Sequence, residues 1–291
     1  MQSTAPRRRG LGIVLMIAAM FCMAAMDATG KYLTQDYAIA QILWLRFGLF
    51  FLLGWALAAR AGGLRRAFRS PQPWRQLIRS AVLLAEIFTF IYAFKFLPLA
   101  DVHAVAACSP LLATALAVPL LGEKVGPWRW GAIAVGFVGV LLIVRPGEGV
   151  FDGLALLPLL GALLWAVYQI LTRAVADDGP ETTVLYTAAL GFGFWSLSGP
   201  FVWTPPDAQG WVLLFLTGLL GAVGHLLLIV AARMAEMSLL QAFAYFLPVW
   251  ATLLGFLVFD EWPDLLTIVG AVVVVGSGLF AIWRERRRRQ A

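Results

Sequence analysis

The sequence predicts an all-α integral membrane protein, with ten transmembrane helices arranged as two inverted five-helix repeats. Composition is the first observation. Of 291 residues, 61% are hydrophobic and 13% are charged, whereas a soluble domain carries about 45–50% apolar and about 25% charged residues. Such a surplus is hidden in lipid, because a water-soluble body of this size still needs a polar coat. The second observation is that the apolar residues form long runs, without the alternation of a barrel strand. Backbone in lipid must satisfy its hydrogen bonds within the element, which leaves helices. The third is an internal repeat, taken up below.

Crossing about 30 Å of hydrocarbon takes roughly 20 residues, and ten stretches fit. They are 11–33, 39–59, 77–97, 101–121, 127–145, 151–172, 182–202, 210–232, 237–259 and 263–283. Arg7, Arg8 and Arg9 ahead of the first run resemble the start of a signal peptide. That run continues to Met26 without a small-x-small cleavage site, which makes it an uncleaved first helix. With the N-terminus inside, the inner segments hold the basic clusters around Arg7–Arg9, Arg60–Arg79, Lys124–Arg129, Arg173, Arg233 and Arg284–Arg289. The outer segments hold only Lys31, Lys95 and Arg145. Positive charge collects on the cytoplasmic side, so both termini are expected in the cytoplasm of a multi-pass inner (plasma) membrane protein. The same clusters account for the net charge of +6 without a nucleic-acid partner. Cys22 and Cys108 lie in apolar runs and read as buried thiols, with neither disulfide nor metal spacing.

The two halves match at a constant offset of 138 residues: Pro110 with Pro248, Ala113–Thr114 with Ala251–Thr252, and Glu123 with Glu261. Leu33–Thr34 matches Leu171–Thr172, and Lys95 matches Arg233. Proline, threonine and glutamate are scarce in spans, so their shared register carries more weight than apolar identities. The offset covers five spans, an odd number, so the second half enters the membrane upside down. The expected boundary puts one repeat at 1–145 and the other at 146–291, the latter with a basic cytoplasmic tail. Inverted repeats of this kind belong to secondary transporters, whose halves rock about a central site.

Two segments carry a family resemblance. One runs from Ser109-Pro110-Leu111-Leu112-Ala113-Thr114 to Leu121-Gly122-Glu123; the other runs from Leu247-Pro248-Val249-Trp250-Ala251-Thr252 to Phe259-Asp260-Glu261. With the two five-helix halves, they make the chain similar to the ten-span EamA-type branch of the drug/metabolite transporter (DMT) superfamily, over nearly its whole length. The stretch from Met26-Asp27 to Lys31-Tyr32-Leu33, with Gln41 and Arg46, resembles members that move riboflavin, S-adenosylmethionine or opine-type metallophores. Another branch exports amino acids. The resemblance implies a carrier and leaves the cargo open.

Ionisable groups within a bilayer cost about 2.5–3.5 kcal/mol on insertion scales, so each needs a reason. Asp27 and Lys31 are four apart on one helix face, where an ion pair can form. They offer either a charge for cargo, or a proton-sensitive switch, or a pair that only neutralises itself. Arg46 presents a fork of donors suited to carboxylate or phosphate; its structural alternative is a salt bridge to Asp27 or Glu86. Glu86, near the middle of the third span, is a candidate proton carrier, with a neutral packing residue as its alternative. His103 and His225 titrate near neutrality when unperturbed and complete the proton-coupling candidates. Pro110 and Pro248 are hinge candidates, since a proline within a helix removes a hydrogen bond and bends it. Trp165, Tyr168 and Gln169, with Gln241 and Tyr245, supply aromatic and amide groups for an organic cargo. Trp128, Trp203, Trp211 and Trp262 fit an interfacial belt, and Gly218, Gly221 and Ala222 form a small-residue face for close packing.

The expected function is a secondary transporter of a small organic metabolite working by alternating access, most simply an exporter of an amino-acid-like, metallophore or related compound. The alternative is uptake of a vitamin or cofactor such as riboflavin or S-adenosylmethionine. A scaffold or an intramembrane enzyme fits less well. No catalytic constellation, metal site, cofactor motif or phosphate-binding Gly-Lys-Ser/Thr loop is evident. The expected partners are the small-molecule substrate and the bilayer, with a homodimer left open.

Overall fold

The computed structural model describes residues 4–60, 63–121, 126–144, 153–175, 178–234, 240 and 243–290, and among these the regular structure is entirely helical. The helices are α1 (Thr4–Leu33), α2 (Ile39–Arg60), the short α3 (Leu64–Ala67), α4 (Pro73–Phe96), α5 (Leu99–Ala106), α6 (Ser109–Leu121) and α7 (Pro127–Val144). They continue with α8 (Leu157–Ala174), α9 (Pro180–Ser196), α10 (Ala208–Met234), α11 (Phe246–Phe259) and α12 (Leu265–Gln290). Among the described residues, six segments have the length and hydropathy to cross a membrane: Gly10–Leu33, Ile39–Arg60, Pro73–Phe96, Leu99–Leu120, Ala208–Leu228 and Leu265–Arg284. Shorter apolar helices run over Trp130–Val144, Leu157–Thr172 and Phe246–Phe259. Each of the ten stretches read from the sequence overlaps one of these segments or α9. Leu52, Val138, Leu219, Leu257 and Val272 keep exposed apolar side chains on the outside of the bundle, as lipid contact requires.

Helix ends follow local chemistry. Pro73, Pro127 and Pro180 open α4, α7 and α9, where a missing N–H costs nothing. Leu97 is extended at φ −119° and ψ 153°, the conformation forced on a residue that precedes proline, here Pro98. α11 ends at Asp260, the only non-glycine residue with positive φ among the described residues, at 55°. The turn it makes brings the Glu261 N–H back to Gly255 O at 3.1 Å.

The two hinge candidates lie differently from the expectation of a mid-helix bend. The fourth span is broken between α5 and α6, and Pro110 is the second residue of α6. Pro248 is the third residue of α11. Each proline therefore sits in a first helical turn, where its lack of an N–H is harmless, and the discontinuity precedes it. Thr114 Oγ1 donates to Pro110 O at 2.9 Å, and Thr252 Oγ1 donates to Pro248 O at 2.9 Å.

Helix packing comes in matched sets. α1 packs on α10 as α4 does on α8, α2 on α10 as α4 on α9, and α1 on α11 as α6 on α8. Under the 138-residue offset each of these pairs is carried onto its mate, while α2–α9 and α7–α12 are carried onto themselves. Small residues permit the closest crossings. A Cβ on Gly139 of α7 would lie 2.8 Å from Gly270 O of α12, and one on Gly270 would lie 2.7 Å from Gly139 O. On α10, Gly221 faces Met26 and Gly218 faces Leu49, so the small-residue face is what lets α1 and α2 approach. Leu33, Ile42, Phe47, Leu84, Ile91 and Trp195 form a core cluster joining α1, α2, α4 and α9.

Candidate functional site

Three polar assemblies are set along the bundle, two near opposite ends of α4 and one between them. At the C-terminal end of α4, Lys31 of α1 pairs with Glu261, which follows α11. Lys31 Nζ also donates to Leu97 O at 2.9 Å and lies 4.9 Å from the centre of the Phe259 ring. Glu261 Oε2 in turn accepts from Leu99 N at 3.1 Å. One ion pair thus fastens α1, the α4–α5 joint and the end of α11. This corrects the sequence expectation that Lys31 pairs with Asp27: a flexible four-carbon stem reaches a better partner across the helix interface than one turn down its own helix. Glu123, the repeat counterpart of Glu261, lies outside the described residues.

At the N-terminal end of α4, Arg79 is fully buried. Its guanidinium donates to Gln76 Oε1 (3.1 Å), Tyr168 Oη (3.1 Å), Ser80 Oγ (3.3 Å), Thr183 O (2.8 Å) and Thr187 Oγ1 (2.6 Å). Asp178 supplies the negative charge through Gln76, whose Nε2 donates to Asp178 Oδ2 at 2.7 Å. Ser70 Oγ donates to the same oxygen at 2.6 Å. A buried charge is tolerable when it is neutralised and every donor is met, and here the network joins α4, α8 and α9. Arg79, Gln76 and Asp178 were not singled out from the sequence. Arg79 looked like one more charge of a basic inner loop, and its partners come from two distant helices.

Between the two ends lie Asp27 (α1), Arg46 (α2), Glu86 (α4), His103 (α5) and His225 (α10). Arg46 feels the charges of both Asp27 and Glu86, and His225 feels that of Arg46. His103 Nε2 is 3.3 Å from Asp27 Oδ2, close enough for an ion pair but without hydrogen-bond alignment. His225 Nδ1 is 2.8 Å from Gly221 O, which makes it a donor to its own helix and leaves Nε2 to face the neighbouring groups. Glu86 is buried, whereas Asp27, Arg46 and His225 are half-buried. The structure therefore brings together five of the sequence candidates from five helices, with charges of both signs.

The remaining candidates divide. Trp165 and Tyr168 stack at 5.2 Å, and Tyr168 belongs to the Arg79 network. Gln169 is half-buried beside them. Tyr245 is buried with its hydroxyl unpartnered and packed against Gly278, where a Cβ would lie 1.7 Å from the oxygen. Gln241 lies outside the described residues. Trp195, which was not anticipated, is buried with its indole N–H unpartnered and stacks on Phe88 at 5.8 Å. An aromatic at that position gives no sequence signal beyond packing. A surface groove lined by residues such as Phe50, Trp211, Phe215 and Gly218 between α2 and α10 is apolar and open. Its lining residue Phe50 also meets the His225 ring, 6.2 Å between centroids.

The model of the EamA-like transporter family matches residues 10–145 and again residues 153–283. The chain belongs to the EamA-like transporter family. This EamA-family chain is 28% identical to a riboflavin transporter of Rhizobium johnstonii, over 98% of this chain and 95% of that one. It is 23% identical to an S-adenosylmethionine uptake transporter of Rickettsia bellii, over 95% of each. It is 26% identical to a pseudopaline exporter of Pseudomonas aeruginosa, over 91% of this chain and 93% of that one. A solved crystal structure of a protein shares the fold, with a TM-score of 0.64 at 22% identity, over 95% of this chain and 98% of the other. The EamA-family fold, the apolar helices and these relatives make the chain a multi-pass membrane transporter of a small molecule.

Proposed function

We propose that this EamA-family transporter is a ten-span bacterial inner-membrane carrier. Two inverted halves, 1–145 and 146–291, rock about the cluster of Asp27, Arg46, Glu86, His103 and His225. The observation that carries this reading is the position of that cluster. Charges of both signs sit inside the bundle, between polar ties at the two ends of α4, each joining helices from both halves. Alternating access needs a central site and one closure on each side. The matched helix pairings and the double match of the family model support the inversion, and the distribution of Lys and Arg supports cytoplasmic termini. Glu86, which shares Asp27 and Arg46 as neighbours with His103 and His225, is the group through which a proton gradient drives transport. The halves change conformation at the breaks ahead of Pro110 and Pro248.

Export of an amino-acid-like, metallophore or related compound is the first reading of direction. Uptake of a vitamin or cofactor is favoured by the names of the riboflavin and S-adenosylmethionine relatives. Uptake into sealed proteoliposomes tests both. The panel holds riboflavin, S-adenosylmethionine and the amino acids, with the pH gradient imposed in each sense or absent. One compound is expected to accumulate only with a gradient, and the sense that drives it gives the direction. If no compound moves under any gradient, proton-driven carriage is wrong.

A further inference from the structure

We propose that Arg46 is the receptor for a cargo carboxylate, so the carrier selects organic acids, zwitterions among them, over uncharged metabolites of similar size. The proposal rests on the central-site reading above. Arg46 of α2 is half-buried within the bundle and feels the charges of Asp27 and Glu86. Among the described residues no ion pair within 4 Å and no hydrogen bond engages its guanidinium. It keeps solvent-accessible surface, so its donors face space rather than packed side chains. A guanidinium brings five N–H donors in a planar fork and no acceptor. No protein group meets those donors, and an ion pair with a carboxylate satisfies them while it neutralises the charge. Asp27 and Glu86 balance the charge from a distance but fill none of the fork. A carboxylate fits that fork in bidentate geometry.

The surroundings select the rest of the molecule. His103 Nε2 sits 3.3 Å from one oxygen of Asp27, which leaves that half-buried carboxylate able to accept from a cationic or N–H-bearing part of the cargo. Phe50, 6.2 Å from the His225 ring, gives an apolar wall. A molecule with a carboxylate at one end and a cation at the other matches the cluster. An uncharged molecule leaves Arg46 unpaired, and a site with an unmet buried polar group discriminates by orders of magnitude.

The test is thermal stabilisation of the purified full-length protein in detergent by matched pairs: methionine and methioninamide, glutamate and its α-amide, histidine and histidinamide. S-adenosylmethionine and riboflavin are added as further probes. At least one free acid is expected to raise the melting temperature, with its amide at least tenfold weaker. R46Q should erase the preference. R46K keeps the charge and loses the fork, and should retain part of it; both variants should elute as the wild type on size exclusion. Stabilisation by riboflavin or the amides in wild type and R46Q alike overturns the carboxylate receptor and leaves the carrier reading intact. So does the absence of stabilisation by any acid. Failure of all gradient-driven transport, by contrast, would strike the carrier reading itself.

Discussion

Arg79 and Arg46 are both arginines within the helix bundle, and they are treated in opposite ways. Arg79 has each face of its guanidinium occupied by a protein acceptor, from Gln76, Tyr168, Ser80, Thr183 or Thr187. Arg46 has two carboxylates nearby and accepts no partner from either at bonding distance. The folded chain gains rigidity from the first arrangement and leaves the second open. Buried donors are nearly always met within a fold, so the contrast sets an arginine that holds helices together apart from one whose donors are left accessible. The same contrast sets Lys31, engaged by Glu261 and Leu97 O, apart from Asp27, whose ion-pair partner among the described residues is a misaligned His103.

The largest effect is expected at Arg79. Arg79→Met removes the hub of a network and strands Asp178, Gln76 and Thr187 without their partner. Loss of one member of a buried charged network costs about 3–5 kcal/mol, so the variant should lose much of its folded yield on fluorescence-detected size exclusion. Arg46→Met should lose little. If the two arginines prove equally costly to remove, the distinction between a structural and a functional guanidinium fails. A smaller effect is expected at Lys31–Glu261. A double-mutant cycle with Lys31→Met and Glu261→Gln should give a coupling of about 1 kcal/mol or more in thermal stability, since contacting groups in one network couple by about 0.5–3 kcal/mol. The same variants should raise the reactivity of cysteines placed at the α4–α5 joint, if the pair closes that side. A coupling near zero would leave it an incidental contact.

Part of this was legible in the sequence, for a physical reason. The apolar runs and the register of Pro110 with Pro248 are set by lipid and by repeated local chemistry, and both leave marks in the sequence. Asp27, Arg46, Glu86, His103 and His225 stood out because a charge in an apolar run is expensive. Their convergence from five helices did not, since that depends on tertiary packing. Lys31 was misread because i, i+4 geometry is the only contact a single helix reveals, whereas Glu261 is brought to it by the turn at Asp260. Arg79 was hidden among the basic residues of an inner loop, where topology alone accounted for its charge. Pro110 and Pro248 were expected to bend helix interiors; their place at helix starts depends on breaks at 107–108 and before 246 that no residue in the run announces.

The smallest effect on stability, and the sharpest on function, is expected at Glu86. It shares its surroundings with Asp27 of α1, Arg46 of α2, His103 of α5 and His225 of α10. Adding or removing one proton there changes the balance of the whole cluster without breaking a hydrogen bond of the fold. Gln has the shape of the protonated acid and holds that state permanently, so Glu86→Gln should fold as the wild type. With the proton site fixed in its neutral form, cargo exchange between the two sides should persist, because a loaded carrier still rocks. Accumulation against a gradient should vanish, because no proton leaves on the alkaline side. With Glu86 as the proton site, transport by the wild type should fall as pH is raised; in the variant the profile should be flat across the same range. Measuring counterflow and gradient-driven uptake side by side in proteoliposomes separates these outcomes. A Glu86→Gln carrier that still accumulates cargo with an unchanged pH profile would move the proton to His103 or His225, the other titratable groups that meet Asp27 and Arg46.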